Sequence, residues 1–150
     1  MLNLLSELCC LNGVSGNEGE VRDFLQKRAE QYADEVRTDR LGNLIVFKKG
    51  KKSTGQKLML CAHMDEVGLI VTRTAKDGFF KFDFVGGVDR RIAIGKSVVL
   101  GNDKIPGVIG CKAIHLVSKD ERKKIPKTES FYLDTGGIDV PLGTYGVFVG

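Results

Sequence analysis

Residues 58–71 read LMLCAHMDEVGLIV, an apolar run broken by His63, Asp65 and Glu66. Its first part, together with Lys57, gives a nearly continuous apolar segment, Lys57 to Ala62, the pattern of a strand covered on both faces in an α/β layer. An ionised group buried there without a partner would cost free energy comparable to the net stability of a whole domain. An imidazole and two carboxylates in such a run therefore require compensation. Residues two apart on a strand face the same side, so His63 and Asp65 are expected to project together from the strand's C-terminal end while Met64 packs on the opposite layer. Strand ends in open α/β sheets and domain junctions are favoured places for ligand sites.

Upstream of this run the sequence alternates helix and strand signals. Leu2, Leu5 and Leu8, widened by Leu4 and Leu11, have helical spacing that ends at Gly13. Ser15-Gly16-Asn17-Glu18 has the spacing of a capping box, followed by an apolar stripe of Val21, Phe24, Leu25, Arg28 and Tyr32 that should pack on a sheet. Val36 to Asp39 and Leu44 to Phe47 read as strands around a turn at Leu41-Gly42-Asn43, and a lysine-rich loop spans 48–56.

Downstream of Glu66 the texture changes to short strands at close spacing. Val67–Thr72, Phe79–Val85, Ser97–Leu100, Lys104–Ile109 and Phe131–Leu133 alternate with glycine-rich turns, with no helical period of useful length. The expected organisation is residues 1–65 as part of an α/β domain and residues 66–150 as a small β-barrel or sandwich.

Composition narrows the partners. At 150 residues, 42% hydrophobic and 28% charged, the chain has the make-up of an ordinary globular protein. The net charge of +4 sits largely in two clusters, at 48–52 and 122–127, neither interleaved with aromatics. These read as solvated turns, and neither a nucleic-acid nor a membrane partner is expected. Cys9, Cys10, Cys61 and Cys111 include no CxxC spacing and read as buried thiols of a reducing compartment. No apolar run reaches the length of a membrane span and the first residues lack signal-peptide character, so the expected location is cytoplasmic.

A histidine with a carboxylate two residues away has three readings. It can be a metal ligand with a carboxylate that fixes its geometry, a general base with its orienting acid, or a hydrogen-bonded structural histidine. The base reading lacks a nucleophile, because there is no GxSxG elbow and no cation near Cys61 in sequence to lower its pKa. The metal reading is the stronger of the two chemical ones, and the structural reading stands beside it.

The run CAHMDEVGLIV, followed by FVGGVDRRIAIGKSVVL and IPGVIGCKAIHL and preceded by GVSGNEGEVRDFL and TDRLGNLI, closely resembles the M42 family of metallo-aminopeptidases, whose members also carry endoglucanase-like names. The resemblance runs over essentially the whole chain. It implies an α/β fold in which the N-terminal part of a three-layer zinc-peptidase domain is followed by a small β-barrel oligomerisation domain. It also implies peptide substrates, two divalent metal ions (zinc or cobalt), a homo-oligomer (a dodecamer), His63 as ligand to one metal and Asp65 as the catalytic-site carboxylate that orients a ligand imidazole. The family's other ligands and its general-base glutamate would follow Gly150, so the chain is expected to be the N-terminal part of a longer enzyme, with its barrel incomplete. Val88 stands where the family often has tryptophan, and LDTGGIDVPLGTYGV departs from the usual barrel ending. His115 falls at a position outside the implied metal site and is expected to be structural. The alternative is a non-catalytic assembly or binding module built on the barrel.

Overall fold

The computed structural model describes residues 2–52, 55–118 and 124–149. The chain forms two compact units: Met1–Gly13 with Asn17–Asp65, and Val14–Gly16 with Glu66–Gly150. The division near residue 65 lies where the sequence texture changes, but a short upstream segment, Val14–Gly16, belongs to the second unit. The second basic cluster begins among residues outside the described ones.

In the first unit, helix α1 is Leu2–Cys9 and helix α2 is Gly19–Ala29. Glu18, rather than Ser15, holds the N-cap position of α2, and the Ser15 backbone N–H donates to the Glu66 carbonyl, 3.3 Å away within the second unit. At the start of α2 the Glu20 carboxylate accepts the Asn12 N–H at 3.0 Å, placing negative charge near the positive end of the helix dipole. Of the predicted stripe, Val21 is buried, Phe24 and Leu25 are half-buried, and Tyr32 is exposed. Arg28 of α2 reaches Glu7 of α1 at 3.3 Å, a half-exposed ion pair of small energetic weight.

Strands β1 (Glu35–Thr38) and β2 (Leu44–Phe47) form an antiparallel hairpin in which Val36 faces Val46 and Thr38 faces Leu44. The turn is built by Asp39. Its carboxylate accepts the N–H groups of Leu41 and Asn43 and the Asn43 side-chain amide at 2.8–2.9 Å, while Gly42 takes a positive φ of 90°.

The expected buried strand over 57–62 is corrected by the structure. No residue there is assigned to a strand, and Leu58, Met59 and Leu60 are 87%, 83% and 87% exposed. A parallel-sheet strand is stabilised by neighbours on both edges and cover on both faces, and the described residues of this unit offer only two helices and one hairpin. Three layers are not formed by them. The cysteine expectation is corrected too: Cys9, Cys10 and Cys61 are exposed, and only Cys111 is half-buried.

The second unit is a closed six-stranded barrel of β3 (Gly68–Thr74), β4 (Phe80–Val85), β5 (Ser97–Leu100), β6 (Ile105–Cys111), β7 (Phe131–Asp134) and β8 (Tyr145–Phe148). Its order is β3-β4-β7-β6-β5-β8, with every pair antiparallel and β8 bonded to both β3 and β5. The expectation of an incomplete barrel is therefore corrected: the divergent stretch 133–147 supplies the end of β7 and most of the closing strand. Period-two alternation explains the core. Leu69, Val71, Phe80, Phe82, Val98, Leu100, Ile109, Phe131 and Leu133 point inward and are buried. Phe84 meets Phe82 and Phe131 edge-to-face at 5.1 and 5.6 Å between ring centres.

Two details shape the closure. Gly68 lies against Val14, where an added Cβ would fall 2.5 Å from the Val14 Cγ2 and 2.5 Å from the Gly146 carbonyl oxygen. The β4–β7 seam has one registered pair, Phe80 with Leu133. Beside that pair the Lys81 ammonium donates to the carbonyls of Glu129 and Phe131 at 2.8 and 2.6 Å, bridging the strands where the ladder is short. One short helix, α3 (Arg90–Ala93), interrupts the strands where no helical period was read. Asp89 caps it by accepting the Arg91 N–H at 3.0 Å.

Candidate metal-ligating pair

His63 and Asp65 lie in the non-strand segment that ends the first unit, with side chains 84% and 39% exposed. The expected burial is absent, but the expected pairing is present. Nδ1 of His63 is 3.0 Å from Asp65 Oδ1 and 2.9 Å from the Asp65 main-chain oxygen. Both partners of Nδ1 are acceptors, so in this arrangement Nδ1 carries the proton and donates to them. The neutral ring then has its unshared pair on Nε2. A metal-binding imidazole is commonly oriented in this way, by a carboxylate or a carbonyl on its other nitrogen.

The two residues do not make a metal centre by themselves. A structural or catalytic zinc site draws on three or four protein donors, and no group of three or more His, Cys, Asp or Glu side chains converges among the described residues. The donor set among the described residues does not fit a complete site. Glu66, next in sequence, uses its main chain in the second unit, through the Ser15 hydrogen bond and a parallel bridge with Val14. His115 lies exposed in a short 3-10 turn, Ile114–Leu116, and Cys61 is exposed. A cavity of about 250 Å³ in the barrel unit is lined by Thr72, Arg73, Lys81, Phe82, Asp83, Thr128 and Glu129, and contains none of the residues singled out from sequence. Lys81 carried no readable signal, because its role depends on the neighbouring strand across the seam.

The sequence profile of the M42 glutamyl aminopeptidases matches residues 42–148, which includes His63, Asp65 and all six barrel strands. The chain belongs to the M42 glutamyl aminopeptidase family. Among its relatives, the lysyl aminopeptidase of Pyrococcus furiosus is 36% identical over 149 residues, covering 91% of this chain and 42% of that protein. A crystal structure named endoglucanase, from Thermotoga maritima, is 41% identical with a TM-score of 0.79, covering 95% of this chain and 43% of that one. The TET1 peptidase of Pyrococcus horikoshii, described as assembling into a tetrahedron or a large octahedral shell, is 29% identical with a TM-score of 0.78, covering 98% and 46%. The M42 chain described here spans less than half the length of the curated relatives it matches.

Proposed function

We propose that this chain supplies the N-terminal part of a metal-dependent aminopeptidase that removes N-terminal residues from peptides. Family membership supports the reaction class, and the geometry at His63 carries the metal assignment. Its Nδ1 is committed to Asp65 and its Nε2 is presented to solvent, the state an imidazole needs before it can coordinate. Two divalent ions, zinc or cobalt, would be held jointly by His63 and by donors outside this chain. Such ions polarise a carbonyl and lower the pKa of bound water.

What this chain itself contributes is narrower. His63 offers one nitrogen, and Asp65 holds the tautomer and the ring direction. The peptide backbone at residue 65 adds a second acceptor to the same N–H, so loss of the carboxylate alone leaves one of the two restraints. The α/β part would belong to a three-layer peptidase domain, and the barrel would contribute to a homo-oligomer of the kind described for the TET1 peptidase. A cytoplasmic location accords with four free thiols.

The test uses the natural protein that carries His63, loaded with zinc or cobalt and assayed on aminoacyl anilides. His63→Ala should remove most of the activity and lower the bound metal by one ion per subunit. Full metal content with an unchanged rate would refute the assignment.

A further inference from the structure

The cavity of about 250 Å³ on the barrel sits between two irregularities of its strands. The β3–β4 register shifts between Val71 and Arg73, so Thr72 is the extra residue of a bulge, a device that re-aims side chains and recurs beside active sites. On the other side of β4 the ladder to β7 has one registered pair, and the 3-10 turn Thr128–Ser130 borders the gap. Arg73 is paired in register with Lys81, and Asp83 lies two residues further along β4, so the three side chains share the outer face of the barrel. Lys81 commits two of its three N–H donors to the carbonyls of Glu129 and Phe131, which leaves one. Arg73, Asp83 and Glu129 differ from it: none of their side chains has an ion-pair or hydrogen-bond partner among the described residues, although all three line the same cavity. Opposite charges on neighbouring strands stabilise a sheet by pairing. Here they face a common space without meeting.

We propose that this cavity binds a small α-amino acid as its zwitterion, with the carboxylate on the Arg73 guanidinium and the remaining Lys81 N–H, and the ammonium on the Asp83 and Glu129 carboxylates. Charge selects the class. A phosphate or a simple carboxylate would satisfy the two cations and be repelled by the two acids, and a metal ion would meet the reverse conflict. A ligand that carries both signs on one carbon satisfies all four groups through charge-assisted hydrogen bonds. Size sets the limit: about 250 Å³ falls below the roughly 300–1,000 Å³ of pockets for drug-sized ligands, so the ligand is small. The hydroxyls of Thr72 and Thr128 and the buried ring of Phe82 complete the lining, with two more hydrogen-bonding groups and one apolar wall. A ligand held from both β4 and the 128–130 turn also ties together the two sides of the seam that Lys81 bridges. The site lies within the barrel unit and uses neither His63 nor Asp65, so it does not depend on the metal reading.

The experiment titrates the isotope-labelled 150-residue chain, in EDTA, with L-alanine, L-serine and L-leucine, and separately with sodium propionate and ethylammonium chloride, whose organic ions carry one charge each. At least one of the amino acids is expected to shift the amide signals of Arg73, Lys81, Asp83 and Glu129 saturably, with a Kd below ~1 mM, while propionate and ethylammonium leave them in place. Arg73→Gln, and separately Asp83→Asn combined with Glu129→Gln, should each weaken that binding at least ~10-fold. The three side chains are at the surface, and unchanged amide signals of Leu69 and Ile109 in the barrel core check that the variants fold. No saturable shift with any of the three amino acids, an equal response to propionate or to ethylammonium, or undiminished binding in the folded variants would each overturn the proposal.

Discussion

At the scale of single residues, the clearest electrostatic feature is Asp89. Its carboxylate accepts from the Arg91 guanidinium at 2.6–3.1 Å and from the Arg91 backbone N–H at 3.0 Å. These bonds, the side-chain ones foremost, hold its pKa at about 2, below the ordinary 3.8. A carboxylate with a depressed pKa favours the folded turn above its unfolded value, and that contribution is lost as pH falls from 3.8 towards about 2. The group is solvent-exposed, so the effect belongs to the local turn around α3. Carboxyl-carbon NMR should show Asp89 titrating near 2, and Arg91→Ala should move that midpoint upward. A midpoint near 3.8 in the unmodified chain would contradict the pairing. The His63–Asp65 pair was expected from strand periodicity, and the structure forms it in a segment that is not a strand, through Nδ1 of His63 bonded to both the carboxylate and the main chain of residue 65. Its exposure was not expected, because an apolar run specifies what a segment would bury against and not whether the partner is present.

Among the elements, the barrel strands were readable because alternation and glycine-rich turns are local signals, and the readings fell within a few residues of the strands observed. Strand β8 was missed. Tyr145–Phe148 carries a glycine at its inward position, Gly146, where an added Cβ would fall 2.6 Å from Leu100 Cδ2 and 3.0 Å from Leu69 Cδ1. A glycine selected for close approach leaves no alternation to read. The helix start was read three residues early, at Ser15 rather than Glu18, and the Ser15 backbone makes a contact with Glu66 that no local window contains. Gly68→Ala forces a methyl against Val14 and the Gly146 carbonyl and should destabilise the barrel by about 1–3 kcal/mol in denaturant unfolding. Lys81→Met removes the bridge across the short β4–β7 ladder and should cost about 1–3 kcal/mol, with faster amide exchange in β7 than in β6. Equal acceleration in both strands would mean that the seam is not the weak point.

For the whole molecule, the two units differ in what holds them together. The barrel owns a contiguous core of eleven buried hydrophobic residues, whereas the first unit buries no residue of α1 and one of α2. Unfolding is therefore expected in two steps, the first unit at lower denaturant, with far-UV and aromatic signals failing to coincide. Limited proteolysis should cut first within 55–62 and leave the barrel strands intact; one coincident transition with protection of that segment would refute the ranking. The sequence located the textural boundary at 65 because strand spacing changes there. It could not show that Val14–Gly16 joins the second unit, since nothing in three residues advertises a partner so far downstream. That splice matters to anyone who would transplant the barrel as a cassette. A cut at Glu66 looks clean on paper, but it discards Val14, whose fully buried side chain fills the space that Gly68 leaves open. The portable unit is a ring with a separate key, and a graft that carries the ring alone inherits a keyhole.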